Sequence, residues 1–220
     1  MPPTPRPEII EKLRNEALDE ASVHPDPFKQ FQKWYRDAWS AGLPQPDAMH
    51  LATATREGGP SGRFVIYKDP EEFRLGGEGF PFFTNYESPK SQEIGRNPEV
   101  ALTFYWAEVG RQVRIRGRAE RLPEEVSDRY FKTRPEGSKL GAWASPQSQP
   151  LGSRAELMER VEGHRKQFEG EAIPRPPNWG GYRVAPREIE FWQHRDDRLH
   201  DRIRYERRSD GSWRIRRLAP

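Results

Sequence analysis

The sequence predicts an α+β fold built on a mainly antiparallel β-sheet, and two patterns lead to this prediction. From His50 onward, short segments with a period of two recur, and turn residues such as Glu57–Pro60 separate them. Segments with helical spacing are interspersed among these strands. Because antiparallel strands dominate, we expect a closed or sandwiched sheet with flanking helices.

The composition allows one large domain or two small ones in 220 residues. Hydrophobic residues make up only 33%, but 7 Trp, 7 Tyr and 11 Phe can bury much area per residue. We expect a single domain over residues 26–220. The N-terminal segment, residues 1–25, is expected to be partly disordered, because its first residues are rich in proline.

Several classes of protein are excluded or made less probable by composition. The chain has no cysteine, which excludes disulfides, thiolate nucleophiles and cysteine-ligated metals. Its five histidines show no metal-ligand spacing, so no metal is expected. Without a membrane-length apolar run or a signal-like N-terminus, we expect a cytoplasmic protein with no membrane partner. The net charge of +3 suits a phosphate-bearing ligand, and the basic stretch Arg202–Arg217 lacks an aromatic stacking platform for nucleic acid.

The first half of the chain predicts two helices and then five strands around one further helix. Residues Glu8–Glu20 favour a helix, and Asp26 with Pro27 begins a second one, whose apolar face is expected to pack in the core. Arg111–Leu122 alternates cleanly between polar and apolar residues, as a half-buried strand does. The other predicted elements are the strands Leu51–Thr55, Arg63–Lys68, Phe80–Thr84 and Val100–Trp106 and a short helix over Ser88–Arg96.

The second half predicts two helices and four strands. Pro123 begins a helix that must end near Arg134, because Pro135 follows. Ser153 caps a helix that runs to Phe168. Strands are expected at Tyr182–Val184 and Ile189–Trp192, and a terminal hairpin turns at Asp210-Gly211.

Two groups of cations are candidates for binding phosphate. Arg63 and Lys68 share a strand, and Lys90 lies at the start of a helix, where free backbone amides also favour anions. Tyr130 and Arg134 are spaced i, i+4 on one helix face, and Ser138 follows the helix end. Read one by one, these residues fit ordinary surface charge and a solvated helix terminus at least as well.

A third candidate is the segment Asp197–Arg202, in which His200 lies between Arg198 and Arg202. Fixed positive charge beside a group that titrates near neutral pH suits an anionic ligand that also exchanges a proton. A solvated network of salt bridges is the commoner explanation of such a loop.

Taken together, these segments resemble the pyridoxine/pyridoxamine 5′-phosphate oxidase family of FMN-dependent enzymes. The resemblance runs from about Asp26 to Pro220. It rests on Arg63–Lys68, Phe83-Thr84-Asn85, Arg111–Arg114, Tyr130–Pro135, Gly141–Ser145, Gln147-Ser148, Trp179-Gly180-Gly181, Glu190-Phe191-Trp192, Arg198–Arg202 and Arg217–Pro220.

The resemblance implies an FMN-binding split β-barrel that works as a homodimer, with the flavin at the subunit interface. Catalytic roles would belong to Arg198, for positioning and electrostatics, and to His200, for proton handling. The implied FMN-binding residues are Arg63, Phe64, Val65, Ile66, Tyr67, Lys68, Phe83, Thr84, Lys90, Gln112, Gln147, Ser148, Trp192 and Arg202. The implied substrate-binding residues are Lys68, Tyr130, Arg134, Ser138, Arg198, Leu199 and His200.

The implied reaction is hydride transfer from C4′ of pyridoxamine or pyridoxine 5′-phosphate to flavin N5, followed by reoxidation with O₂ that releases H₂O₂. The flavin carries the redox chemistry, and the protein positions the reactants. Two alternatives remain open: a related FMN oxidase that acts on another substrate, and a non-catalytic protein that binds flavin or pyridoxal phosphate.

Three features depart from the family pattern. Pro89 stands where the family usually has an arginine, which removes a guanidinium and a backbone donor and predicts weaker FMN binding. Ala17 replaces a tyrosine found in many members, although Arg14 remains nearby in sequence. The connection Asp69–Gly79 is longer than usual, and the sequence offers no functional account of it.

Overall fold

The computed structural model describes residues 4–220, and within them the chain forms six α-helices and eight strands. The helices are α1 (Pro7–Asn15), α2 (Pro27–Ser40), α3 (Pro89–Arg96), α4 (Glu124–Thr133), α5 (Glu136–Ala144) and α6 (Arg154–Gln167). The strands are β1 (Ala48–Ala54), β2 (Pro60–Ile66), β3 (Phe80–Asn85), β4 (Glu99–Trp106), β5 (Arg111–Arg121), β6 (Trp179–Gln193), β7 (Asp201–Arg207) and β8 (Trp213–Arg217). Every strand pair is antiparallel, so the predicted α+β class is confirmed.

The sheet is a split barrel organised around the long strand β6. The strand order is β2-β1-β4-β5-β6-β7-β8, and β3 pairs with the first half of β6 while β7 pairs with its second half. Beyond the end of β2, the amide of Lys68 donates a hydrogen bond of 3.0 Å to the carbonyl of Pro81 in β3. The sheet therefore curls back on itself at this point, and Lys68 lies at the seam.

The core lies between the inner faces of the strands and α2. The side chain of Asp26 accepts a hydrogen bond from the amide of Phe28 and caps α2, as the sequence predicts. The ring of Phe31 is fully buried, with its centroid 4.9 Å from those of Phe80 and Phe104 and 5.3 Å from that of Tyr67. Burying such a ring contributes about 1.5–3 kcal/mol of folding free energy, so the aromatic face of α2 holds the barrel together.

The strand β6 was predicted as two short strands, and this was wrong. Residues 179–193 form one strand, with a β-bulge opposite the Arg116/Gly117 step of β5. Pro186 sits at the bulge, where the ladder is interrupted and a missing backbone donor is tolerated. A Cβ at Gly117 would lie 2.2 Å from the carbonyl oxygen of Ala185, so the close approach of the two strands requires glycine there.

The N-terminal region packs on the rest of the protein. The helix predicted over Glu8–Glu20 ends earlier, at Asn15, because the residues after it leave the helix to reach the sheet. Leu18 and Val23 are buried in the same cluster as the strands. The predicted disorder of the first residues falls partly on residues 1–3, which lie outside the described residues, and the domain boundary at residue 26 stays a prediction.

The remaining helices agree with the sequence except for one. The side chain of Ser153 accepts a hydrogen bond from the amide of Glu156 and caps α6, as expected. Helix α5 was not predicted, because Gly137 and Gly141 weaken its helical pattern. Pro135 begins this helix as its N-cap, so α4 and α5 meet at Arg134 and Pro135.

Candidate active site

Lys68 points away from the core at the barrel seam. Its neighbour Tyr67 is buried among aromatic rings, and alternation along the extended chain turns Lys68 to the opposite side. The ammonium Nζ lies 3.9 Å from Oδ2 of Asp47 and 5.4 Å from the ring centroid of Phe73. Burial lowers the pKa of Lys68, and the carboxylate of Asp47 offsets part of this effect.

Lys90 lies in the first turn of α3 and binds three neutral oxygens. Its Nζ donates to Oε1 of Gln147 at 2.9 Å, to Oγ of Ser88 at 3.1 Å and to Oγ1 of Thr84 at 3.2 Å. Burial lowers the pKa of Lys90 to about 8, and the nearby charge of Arg63 adds to this effect. A bound anion would restore the charge, so the position is suited to a phosphate.

Arg63 is fixed behind Lys90 by a polar cluster that the sequence did not reveal. Its guanidinium donates to Oγ1 of Thr53 at 2.5 Å, to Oγ of Ser61 at 2.6 Å and to Oε2 of Glu93 at 3.4 Å. Burial opposes ionisation of Glu93, but the hydroxyls of Ser61 and Thr53 and the charge of Arg63 hold its pKa below the usual value. Glu93 thus orients Arg63 and neutralises part of its charge.

Three stacked aromatic rings form a wall of the region that contains Lys68. The rings of Phe83 and Tyr130 are stacked with centroids 4.0 Å apart, and Trp179 stacks on Phe83 at 5.4 Å. Phe83 pairs with Gly181 across β3 and β6, and a Cβ at Gly181 would lie 2.8 Å from the Phe83 ring. The Trp179-Gly180-Gly181 motif therefore makes room for this wall.

Arg134 closes the same region from the junction of α4 and α5. Its guanidinium lies 4.6 Å from the ring centroid of Trp179, and burial lowers its pKa. The Nη1 atom is buried and has no hydrogen-bond partner among residues 4–220. Ser138 lies in the first turn of α5, which brings its hydroxyl to the same junction. A buried donor without a partner is rare in proteins and points to a ligand.

Lys68, Lys90, Arg134 and the aromatic wall line one cavity of about 570 Å³, which is a typical size for a cofactor or small-molecule site. Of the predicted residues, the following line it: Phe64, Val65, Ile66, Lys68, Phe83, Thr84, Lys90, Tyr130, Arg134, Ser138 and Gln147. Within the described part of the chain, its lining contains three cations and no carboxylate. The cavity is therefore electrostatically suited to an anion with more than one charge.

Four lining residues were not predicted to belong to the site: Phe73, Thr133, Pro135 and Trp179. Trp179 belongs to a motif that the sequence analysis noted, but Phe73 comes from the connection Asp69–Gly79, which carried no signal. Three predicted residues stand beside the cavity rather than in its lining. Arg63 is held by Thr53, Ser61 and Glu93. The side chain of Tyr67 faces the core, and Ser148 follows Gln147 with a left-handed φ of 70°.

The other predicted residues form a second group away from the cavity. Gln112, Trp192 and Arg202 are direct cross-strand neighbours on β5, β6 and β7. Nε of Arg202 donates to Oε1 of Glu190 at 2.9 Å, and its Nη1 donates to the carbonyl of Ala219 at 2.9 Å. Within one chain the structure does not bring this group to the cavity.

Arg198, Leu199 and His200 lie in the connection from β6 to β7, next to this second group. The imidazole of His200 lies 4.6 Å from the ring centroid of Trp192, and its Nδ1 accepts a hydrogen bond of 3.1 Å from the amide of Arg195. Arg198 adopts a left-handed φ of 61°, a strained conformation that tertiary contacts must hold.

Charged contacts tie this connection to the N-terminal segment. Nε of Arg195 donates to Oδ2 of Asp201 at 2.7 Å, and its Nη2 donates to the carbonyl of Glu16 at 2.7 Å. Glu16 also pairs with the buried guanidinium of Arg111, which donates to Oδ2 of Asp37 at 2.8 Å. These contacts fix the backbone on both sides of Arg198 and His200.

Among residues 4–220, no three histidine, aspartate or glutamate side chains come together in a way that could hold a metal ion. In the same range, no helix is both long and apolar enough to cross a membrane.

Comparison with known families decides where the chain belongs. A family profile described as "Pyridoxamine 5′-phosphate oxidase" matches residues 35–168, more than half of the chain. A second profile, described as "Pyridoxine 5′-phosphate oxidase C-terminal dimerisation region", matches residues 179–220. This chain belongs to the pyridoxine/pyridoxamine 5′-phosphate oxidase family.

Curated relatives of this oxidase family resemble the chain over nearly its whole length. A pyridoxine/pyridoxamine 5′-phosphate oxidase from Rubrobacter xylanophilus is 55% identical over 204 residues, which cover 93% of this chain and 91% of the relative. The enzyme of the same name from Nostoc sp. is 52% identical over 205 residues, 93% of this chain and 94% of the relative.

Solved structures show the same family fold. PhzG from Burkholderia lata, determined in complex with tetrahydrophenazine-1-carboxylic acid, matches with a TM-score of 0.85 and 32% identity, covering 94% of this chain and all of that chain (100%). A pyridoxamine 5′-phosphate oxidase-related, FMN binding protein from Nostoc punctiforme matches with a TM-score of 0.70 at 15% identity, covering 90% and 100%. The second likeness shows the fold alone.

Proposed function

We propose that this protein oxidises pyridoxamine 5′-phosphate or pyridoxine 5′-phosphate to pyridoxal 5′-phosphate, with FMN as cofactor and O₂ as acceptor. The observation that carries the proposal concerns Arg134, whose Nη1 is buried and has no hydrogen-bond partner among residues 4–220. Arg134 lines a cavity to which the described residues contribute no carboxylate. Leaving such a donor unpaired costs about 1–3 kcal/mol, which a phosphate oxygen would recover.

The residues present fit FMN at the end of the cavity around Lys90. Lys90, Thr84 and Gln147 already form one hydrogen-bonded group, and Arg63 stands behind it. This group would hold the FMN phosphate and its polar tail, because a desolvated ammonium gains most from a dianion. Backbone and side chains at Phe64–Ile66 would line the flavin.

The opposite end fits the substrate phosphate. Arg134, Ser138 and Lys68 offer a guanidinium, a hydroxyl and an ammonium to three phosphoryl oxygens. Burial raises the pKa of Tyr130, so its hydroxyl keeps its proton and can donate as well. Two sets of anion-binding residues in one cavity would suit a phosphorylated cofactor that meets a phosphorylated substrate.

The chemistry that FMN would supply when bound is the two-electron oxidation of C4′ with O₂ as acceptor. The alcohol and O₂ would give the aldehyde and H₂O₂, and the amine, water and O₂ would give the aldehyde, ammonia and H₂O₂. The chain contributes binding, orientation and exclusion of water through the wall around Phe83 and Tyr130. The amide of Arg195 donates to Nδ1 of His200, so a neutral His200 holds its ring proton at Nε2 and can donate it to a substrate oxygen.

A homodimer would bring the second group of residues to the cavity. The match of residues 179–220 to a dimerisation region supports this assembly. Phe64, Tyr105 and Leu199 are large apolar side chains that are exposed in the single chain, with 73%, 63% and 68% of their surface free. We infer that a second copy covers this face and places its Arg198, His200, Gln112, Trp192 and Arg202 near the cavity.

A related FMN oxidase with a different substrate is the second candidate. The likeness to PhzG, at 32% identity over 94% of this chain, favours it. Lys68 and Arg134 both line the cavity and together favour a ligand with a phosphate group. This favours the first candidate over the second. The third candidate is a protein that binds flavin without turnover. Pro89 favours it, because proline offers neither a guanidinium nor a backbone donor to the FMN phosphate.

The test is turnover by the purified protein reconstituted with FMN, with peroxide and pyridoxal phosphate measured separately. We expect both products from the two phosphorylated substrates and little from unphosphorylated pyridoxamine. Arg134→Met should raise KM for the phosphorylated substrates at least about tenfold. Lys132→Met, an exposed change on the same helix, is the control and should leave KM unchanged. A yellow protein that forms neither product would contradict the proposal.

A further inference from the structure

Phe73 occupies a place in the cavity that no predicted role explains. It comes from residues 69–79, the connection between β2 and β3, and its ring lines the cavity. The ring centroid lies 5.4 Å from Nζ of Lys68. It also lies 5.3 Å from the ring centroid of Tyr130, at an interplanar angle of 86°. Phe73 thus contacts two of the groups that we assign to the substrate phosphate.

Hydrogen bonds hold the connection on both sides of Phe73. Oδ1 of Asp69 accepts a hydrogen bond of 2.8 Å from the amide of Glu71, which starts a compact turn. Leu75 is buried, and its amide donates to the carbonyl of Pro70 at 2.9 Å. These contacts fix the backbone at the only described point where this connection enters the cavity lining.

Contacts from neighbouring elements hold the same turn. Nη2 of Arg129 on α4 donates to the carbonyl of Arg74 at 3.0 Å, and Nη2 of Arg183 on β6 donates to that of Leu75 at 3.0 Å. At Gly79 the chain returns to β3 with φ of 126°, and a Cβ there would lie 2.7 Å from the carbonyl oxygen of Val184. These contacts hold the connection in a conformation that places the Phe73 ring in the cavity lining.

We propose that Phe73 is a specificity-determining residue that positions Lys68 and Tyr130 for the phosphate of the substrate. This inference rests on the proposed function. An aromatic face near an ammonium restricts its orientations and displaces water from it, and edge-to-face packing fixes the second ring. Phe73 also forms an apolar end wall, which favours a compact phosphorylated pyridine over a longer substrate.

The geometry separates this effect from cofactor binding. Lys90, Thr84 and Gln147 are held by hydrogen bonds to one another, at the end assigned to FMN. Phe73 contacts the Lys68 and Tyr130 end instead. Shortening Phe73 should therefore weaken binding of a phosphorylated pyridine and leave the affinity for FMN unchanged.

The experiment compares Phe73→Ala and Phe73→Leu with the wild type by equilibrium titration of pyridoxal 5′-phosphate and, separately, of FMN. For Phe73→Ala we expect the Kd for pyridoxal phosphate to rise about three- to tenfold and the Kd for FMN to stay within twofold. Phe73→Leu keeps most of the side-chain volume but lacks the aromatic face. Its Kd for pyridoxal phosphate should therefore lie between those of the wild type and Phe73→Ala. Glu78→Ala, an exposed change in the same connection, should match the wild type.

Steady-state kinetics provides the second readout. In Phe73→Ala, KM for pyridoxamine 5′-phosphate should rise while kcat stays close to that of the wild type, and KM for unphosphorylated pyridoxamine should not rise. Unchanged pyridoxal phosphate affinity in both variants would overturn the role of Phe73, as would an equal loss of FMN affinity. If Phe73→Ala does not fold, Phe73→Leu decides by the same criteria. A wild type that binds neither ligand would instead refute the proposed function.

Discussion

At the scale of single residues, the site depends on cations that the fold holds in poorly solvated positions. Lys90 has neutral hydrogen-bond partners, Lys68 has a distant carboxylate, and one nitrogen of Arg134 has no partner. Removing these charges from water costs free energy, and the binding of an anionic ligand offsets this cost. The cavity is in this sense preorganised for phosphate.

The pKa of Lys90 predicts how FMN affinity depends on pH. A dianion binds the charged lysine better, and a group with a pKa of about 8 is mostly charged at pH 7 and mostly neutral at pH 9. The affinity of the apoprotein for FMN should therefore fall about tenfold between these pH values. Fluorescence titration would measure it, and Lys90→Arg, which does not titrate there, should show a flat profile. The same slope in Lys90→Arg would exclude Lys90 as its source.

Pro89 predicts a gain of FMN affinity on substitution. It occupies the first turn of α3 beside Lys90, where it offers no backbone donor and no charge. Pro89→Arg should lower the Kd for FMN about three- to tenfold, because a guanidinium can reach the same phosphate. Pro89→Ala restores only the backbone donor and should show a smaller gain. An unchanged Kd in Pro89→Arg would mean that the FMN phosphate lies elsewhere.

The sequence predicted most of the residues that line the cavity, but it did not predict Phe73 or the role of Glu93. Lys68, Lys90 and Arg134 carry charge and belong to a recognisable family pattern, so they could be found from sequence. Phe73 contacts Tyr130 and Glu93 contacts Arg63, in each case between segments that are distant in sequence, with no local pattern to mark them. Such contacts appear only once the chain is folded.

At the scale of elements, alternation and capping predicted most boundaries, and local irregularity explains the failures. The clean alternation of β5 and the caps at Asp26 and Ser153 are purely local signals, and all three predictions are confirmed. The two predicted strands left residues 185–188 out of β6, and sequence alone does not show that a bulge tolerates Pro186 inside the strand. Helix α1 ends at Asn15 instead of the predicted Glu20, because the next residue, Glu16, pairs with Arg111 of β5.

Gly181 predicts a stability effect that belongs to the packing of β3 on β6. A Cβ there would lie 2.6 Å from Cδ1 of Leu122 and 2.8 Å from the Phe83 ring. Gly181→Ala should therefore lower the free energy of unfolding by about 1–3 kcal/mol, as measured by denaturant unfolding. Gly163→Ala, in the open middle of α6, should instead raise it by about 0.5–1 kcal/mol. Equal stability of Gly181→Ala and wild type would contradict the described packing.

At the scale of the whole molecule, one chain holds both groups of site residues but brings only one of them to the cavity. The family resemblance implies a flavin at a subunit interface, and in the single chain Gln112, Trp192 and Arg202 lie on another face. This division is what a shared site requires. The exposed ring of Tyr105 lies on that face, because Tyr105 pairs with Gln112 across β4 and β5.

Tyr105 provides the test of the assembly. It pairs with Gln112 across β4 and β5 and is 63% exposed in the single chain. Sedimentation velocity should show a wild-type dimer, and Tyr105→Glu should shift it toward monomer, because a buried carboxylate without a partner is costly. Met158→Glu, an exposed change on α6, should stay dimeric. A wild type that sediments as a monomer would contradict the shared site.

The most direct measurement is a crystal structure of the protein with FMN and pyridoxal 5′-phosphate. We expect the FMN phosphate beside Nζ of Lys90 and the second phosphate within hydrogen-bond distance of Nη1 of Arg134. Arg198 of the partner subunit should lie over the pyridine ring. Phosphates bound away from both Lys90 and Arg134, with Nη1 still lacking a partner, would contradict the account.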